Sequence, residues 1–114
     1  MADLETRPVR LQDDEVLCCP ACGGVCLHHD GLDWYERAME DAARGLRVCL
    51  RGTVTVDANA DQAQSPSLRR HGFVVGFWCE TCGPLDAVLA LVQHKGQTFL
   101  DWRLTPVEPV GEGP

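Results

Sequence analysis

This chain predicts a mainly β domain: an antiparallel sheet of about four to six strands, with at most one short helix. Three observations carry that expectation. Several stretches alternate apolar and polar residues with the two-residue period of a half-buried strand. Two Cys-x-x-Cys-Gly turns, Cys19-Pro20-Ala21-Cys22-Gly23 and Cys79-Glu80-Thr81-Cys82-Gly83, stand far apart along the chain. At 114 residues the chain makes one domain, with a core modest enough for a crosslink to matter.

Taken in order, residues 1–17 are polar and acidic around Pro8 and are expected to form a flexible arm, with a short strand near Val9 to Leu11 at most. The folded domain is expected over residues 18–104, beginning at the first Cys-x-x-Cys turn. Trp34 and Tyr35 favour a strand between Cys26 and Arg37. The stretch from Glu36 to Gly45 has high helix propensity and a glycine stop, so it reads as one short helix or a polar loop. Val48 to Val56 alternates, with Val48, Leu50, Gly52, Val54 and Val56 on one face, and predicts a single strand.

Residues 57–67 are rich in Asp, Asn, Gln and Ser, offer little to bury, and predict a mobile loop inside a long hairpin insertion between the two turns. His71 to Cys79 is a second β run that delivers the second Cys-x-x-Cys from a strand end. Leu85 to His94 fits helical spacing as well as a strand. A hairpin turning at Lys95-Gly96 into Thr98 to Leu104 is preferred, because it completes the sheet. Residues 105–114 hold three prolines and two glycines and are expected to be a disordered tail.

The paired turns carry the chemistry. Each presents two thiolates, and the glycine after the second cysteine lets the chain reverse while amides approach the sulfurs. Together Cys19, Cys22, Cys79 and Cys82 supply the ligand set of one closed, structural zinc site. An iron–sulfur cluster also takes four cysteines, and a thiol oxidoreductase would place its motif at a helix N-terminus; neither setting is visible. Ligand choice at the first turn stays open. Cys26, His28 and His29 follow closely and are substitute or additional ligands in a Cys₃His alternative. Of the seven cysteines, Cys18, Cys26 and Cys49 are otherwise spare thiols, which suits a reducing cytoplasm better than a disulfide framework.

Charge bounds the partners. The formal net charge is −7; ligation by four thiolates removes four protons and adds a dication, moving it to about −9. An acidic chain repels phosphates on average. Six of the ten basic residues nevertheless fall between Arg37 and Arg70, and five acids lie in almost the same interval, from Glu36 to Asp61, so a basic patch is permitted there without being demanded. Arg69 and Arg70, with His71, either grip phosphate or sit in solvent. His94 and Lys95 occupy a polar hairpin tip that is a contact surface or a plain turn. Trp34, Trp78 and Trp102 are core residues or a stacking platform for bases. No Ser-His-Asp order, phosphate loop or His-Glu-x-x-His motif is present. Four protein ligands would leave no position to activate water, so an enzyme is not expected. No apolar run reaches the length of a membrane span, and the N-terminus lacks the pattern of a signal peptide.

Beyond these separate motifs, Leu27-His28-His29, Trp34-Tyr35-Glu36-Arg37 with Glu40-Asp41, Trp78-Cys79-Glu80-Thr81-Cys82-Gly83 and Gln93-His94-Lys95-Gly96-Gln97-Thr98 resemble small zinc-ribbon proteins of bacterial and phage genomes. The likeness spans about residues 18–103. It implies a β-rich zinc ribbon and brings no substrate; Cys18, Cys26 and Cys49 depart from the pattern. The function expected is a non-enzymatic zinc-ribbon module that presents a sheet surface to a protein partner. The alternatives are a nucleic-acid-binding ribbon, or an acidic phage-type inhibitor of a host nucleic-acid-processing or defence complex, with Asp13, Asp14 and Glu15 as the mimic.

Overall fold

In a computed structural model, residues 6–104 are described. The chain is mainly β, with a seven-stranded antiparallel sheet, a small two-stranded sheet and one 3₁₀ turn, Gln62–Gln64. The strands are β1 (Thr6–Arg7), β2 (Leu11–Gln12), β3 (Val16–Leu17), β4 (Leu27–Arg37), β5 (Arg44–Leu50), β6 (Val54–Asp61), β7 (Gly72–Cys79), β8 (Gly83–His94) and β9 (Gln97–Leu104). The large sheet runs β1-β9-β8-β7-β4-β5-β6, and β2 pairs with β3. The expected tail, 105–114, lies outside the described residues.

Three expectations are revised and one open choice is decided. Within 1–17 the described part is no free arm: Thr6 and Arg7 pair with Arg103 and Trp102, and Leu11 and Gln12 form a hairpin with Leu17 and Val16. Asp13 and Asp14 are its turn, both with positive φ. Of the two readings of 36–45 the loop is the one formed: residues 38–43 are bends, turn and irregular chain, while Glu36 and Arg37 end β4 opposite Leu46 and Gly45 of β5. Strand pairing at both ends outweighs an intrinsic helix preference worth only tenths of a kcal/mol per residue.

The single strand expected at Val48 to Val56 is a hairpin turning at Arg51–Thr53. It escapes detection because Leu50 pairs with Val54 and Val48 with Val56, so the alternation continues on one face through the turn. Lastly, 57–67 is not a mobile loop. Residues 57–61 belong to β6, and the rest is a crossover from the sheet edge to β7 with polar anchors. Gln62, Ser65 and Ser67 are buried. The Gln62 amide N–H donates to Ala43 O and its side chain to Leu46 O, while Ser67 Oγ donates to Gln93 O at 3.2 Å. Polar residues are cheap to bury once every donor has an acceptor.

Register assigns the two faces, since directly paired residues share a face. One carries Leu32, Trp34, Val48, Val56, Phe73, Val75, Leu89, Leu91 and Trp102. Trp34 stacks on Phe73, and Phe77 meets Trp102 edge-on with centroids 5.4 Å apart. Trp102 is fully buried. The other face carries Asp33, Tyr35, Cys49, Val74 and Ala90, with the crossover at one end. There Arg47 and Arg51 donate to the buried Asp33 carboxylate at 3.1 and 2.5 Å.

Two expected results follow locally. A Cβ on Gly45 would run into Glu36 O and Arg37 Cα on the adjacent strand, so Gly45→Ala should cost about 1–3 kcal/mol by overpacking, read as a lower urea midpoint. Burial pushes the Asp33 carboxyl up, but Cys49, Arg47 and Arg51 outweigh it and hold its pKa below the ordinary value. That lowered pKa gives stability present above the unfolded carboxylate's pKa and lost as pH falls through the folded one. Both guanidiniums are part-exposed, which discounts the pair. Asp33→Asn should cost about 1–3 kcal/mol at neutral pH. The gap from wild type should narrow in urea titrations run in strong acid.

Candidate metal centre

Both Cys-x-x-Cys turns are built by backbone geometry. In the first, Cys19 N–H donates to Gly24 O at 2.7 Å and Gly23 N–H to Cys19 O at 2.9 Å, closing a loop around Pro20 and Ala21. In the second, β7 ends at Cys79 and β8 begins at Gly83, which pair across the turn. Gly23 and Gly83 have φ of 78° and 83°, the left-handed region that side chains enter only with strain. Open space surrounds both positions, so backbone conformation, not room, selects glycine. A further bond, Glu80 N–H to Cys26 O at 3.1 Å, ties the lead-in of β4 to the second turn.

The result is convergence. One sulfur from each of Cys19, Cys22, Cys79 and Cys82 lies within 4.8 Å of the other three. All seven cysteines are free. Four sulfurs about 2.3 Å from a central tetrahedral ion are about 3.8 Å apart, and Cys22 Sγ lies 3.7 Å from Cys79 Sγ. Backbone amides already point at the sulfurs: Ala21 N–H at Cys19, Gly24 N–H at Cys22 and Thr81 N–H at Cys79, at 3.4, 3.3 and 3.4 Å. Such donors favour thiolate over thiol. The residues therefore fit a soft tetrahedral metal ion.

Protonation follows the same logic. The amides of Cys82 and Thr81 lower the Cys79 thiol to about 7. Contact with Cys22, burial and the other thiols push Cys82 up to about 12. At Cys22 the Gly24 amide pulls down, but Cys79, burial and Cys19 leave the thiol above its ordinary value. One thiolate forms readily, and a second like charge beside it is opposed. A divalent cation removes that opposition, at the cost of releasing the remaining protons.

Cys26, His28 and His29 lie outside the four-sulfur group. Cys26 is exposed. His28 stacks on Trp78 with centroids 4.1 Å apart, and its Nε2 lies 2.7 Å from Glu80 Oε2. His29 is exposed opposite Phe77. The histidine pair thus belongs to a cross-strand arrangement beside the second turn. The three tryptophans form no common platform, for Trp102 is buried, Trp34 lies against Phe73, and Trp78 follows Phe77 onto the opposite face. Arg69 and Arg70 face Glu40, whereas His94 packs near Phe99 and Lys95 shapes the β8–β9 turn.

What the motifs did not disclose is where the first turn sits. A cavity of about 310 Å³ is bounded by Arg7, Arg10, Cys18 to Gly23 and Trp102. The first turn therefore lies beside Trp102, next to β1, which pairs with β9 at the sheet edge. Among the described residues no helix is long and apolar enough to cross a membrane. Comparisons with family models, with curated proteins and with solved structures find no match.

Proposed function

We propose that this chain is a small, non-enzymatic zinc-ribbon module of the cytoplasm, with one structural Zn²⁺ on Cys19, Cys22, Cys79 and Cys82, and that it presents its sheet to a protein partner. The observation that carries it is the convergence of four thiols from two distant turns. Zinc fits the all-sulfur, tetrahedral donor set. When bound it supplies a crosslink between the first turn and the end of β7. Four protein sulfurs complete the coordination, so the role is structural and catalysis is not assigned to it. Support for a binding role comes from the uncovered apolar face near the β5–β6 edge, where Leu50, Val54 and Val56 are 44%, 63% and 61% exposed.

Native mass spectrometry of protein purified without added metal tests both parts. The expected result is one zinc per chain, together with a saturable protein partner recovered after cross-linking in the source cells. A metal-free or iron-loaded chain would overturn the first part, and recovery of nucleic acid instead of protein would overturn the second.

A further inference from the structure

The end of the sheet opposite the metal centre carries a second constructed feature. The crossover after β6 is fixed by buried polar groups: Ser67 N–H donates to Ser65 Oγ at 3.1 Å, and Arg70 N–H to Ser67 Oγ at 3.2 Å. Ser65 and Ser67 are only 5% and 1% exposed. The Arg37 guanidinium donates to Ala42 O at 2.5 Å and to Ser67 O at 2.6 Å. One cation thus clamps the β4–β5 loop to the crossover.

What this scaffold displays is not buried. Leu68 is 79% exposed, and Met39, on the facing loop, is 73% exposed. Met39 lines a cavity of about 330 Å³ together with Glu36, Arg37, Glu40, Arg69 and Arg70. The two arginines share a single carboxylate, with Glu40 Oε2 at 3.4 Å from Arg69 and 3.7 Å from Arg70. Across the cavity lining Arg37, Arg69 and Arg70 stand against Glu36 and Glu40, which leaves one positive charge in surplus in an otherwise acidic chain.

Ordering an exposed loop costs conformational entropy, and hydrogen bonds of this kind return little net stability. A locked loop with two forked guanidiniums beside exposed apolar side chains is preorganised for a ligand. We propose that Arg69 and Arg70, with Met39 in the same cavity, bind an acidic peptide segment of the protein partner. Its carboxylate takes the place of Glu40, and its adjoining apolar residue rests on Met39. The exposed Met39 favours this over a phosphate backbone, whose repeated charges an acidic chain repels more than it repels one carboxylate. The assignment rests on the protein-binding role proposed above and specifies its location and chemistry.

The test pans a phage-displayed random peptide library against the full zinc-loaded chain, then measures an enriched synthetic peptide by fluorescence anisotropy. Enriched peptides are expected to place Asp or Glu beside a bulky apolar residue. Affinity should fall about tenfold in Arg69→Ala/Arg70→Ala and rise about threefold in Glu40→Gln, which removes the internal competitor. Zinc content, read by native mass spectrometry, should be unchanged in both. Peptides that bind wild type and the double variant equally would overturn this site while leaving a binding module elsewhere on the sheet. Failure to enrich any peptide would overturn it too, with the module role then decided by the cross-linked partner. Binding of a single-stranded oligonucleotide that depends on both arginines, without acidic peptides, would overturn it in favour of nucleic acid.

Discussion

Replacing Cys79 by serine is expected to lower the melting temperature by about 15–25 °C and to abolish stoichiometric zinc binding. Structural zinc sites carry apparent binding free energies of about 10–16 kcal/mol, comparable with the whole stability of a domain this size. Cys79 is buried, ends β7 and joins the second turn to the sheet, so its loss leaves the other three sulfurs without a closed tetrahedron. Cys49→Ser is the control. Cys49 stands outside the sulfur group, and the variant should retain its zinc. Circular dichroism melts and metal analysis of both variants, with and without a chelator, check this. The chelated wild type should resemble Cys79→Ser.

The second large effect is expected at Trp102. Its side chain is fully buried, meets Phe77 edge-on and lines one cavity with the first turn. Trp102→Ala should cost about 3–5 kcal/mol, read from urea unfolding. On the proposal that zinc occupies the four-sulfur site, the loss should also couple to the metal, because Trp102 and the first turn line one cavity, so chelation should cost the variant less than it costs wild type. Additive losses would mean that the two act independently. Trp102→Phe is the milder comparison, because the indole N–H has no hydrogen-bond partner in the fold and its removal eliminates an unsatisfied buried donor.

The metal site was legible because its signal is nearly local: cysteine pairs with glycine after the second cysteine state both the chemistry and the turn. The β7 strand and the hairpin at Lys95-Gly96 were legible for similar reasons, since a short turn with two positive φ angles joins alternating runs. The crossover was not. Its Gln and Ser residues look solvated in sequence, and only distant carbonyls of Leu46 and Gln93 explain their burial. The Arg51–Thr53 turn was hidden by continuous alternation, and the β4–β5 connection was legible as a polar loop but not separable from a helix by propensity alone. His28 shows the same limit from the side of chemistry. A histidine near two cysteines resembles a ligand until Trp78 and Glu80 are seen to engage it.

X-ray absorption at the zinc edge of the wild-type protein bears most directly on what clasps the two ends of this fold. The expected spectrum fits four sulfur neighbours at about 2.3 Å and no lighter atom in the first shell. A shell containing nitrogen, from His28 or His29, or fewer than four sulfurs, would contradict the assignment of Cys19, Cys22, Cys79 and Cys82 as the complete ligand set.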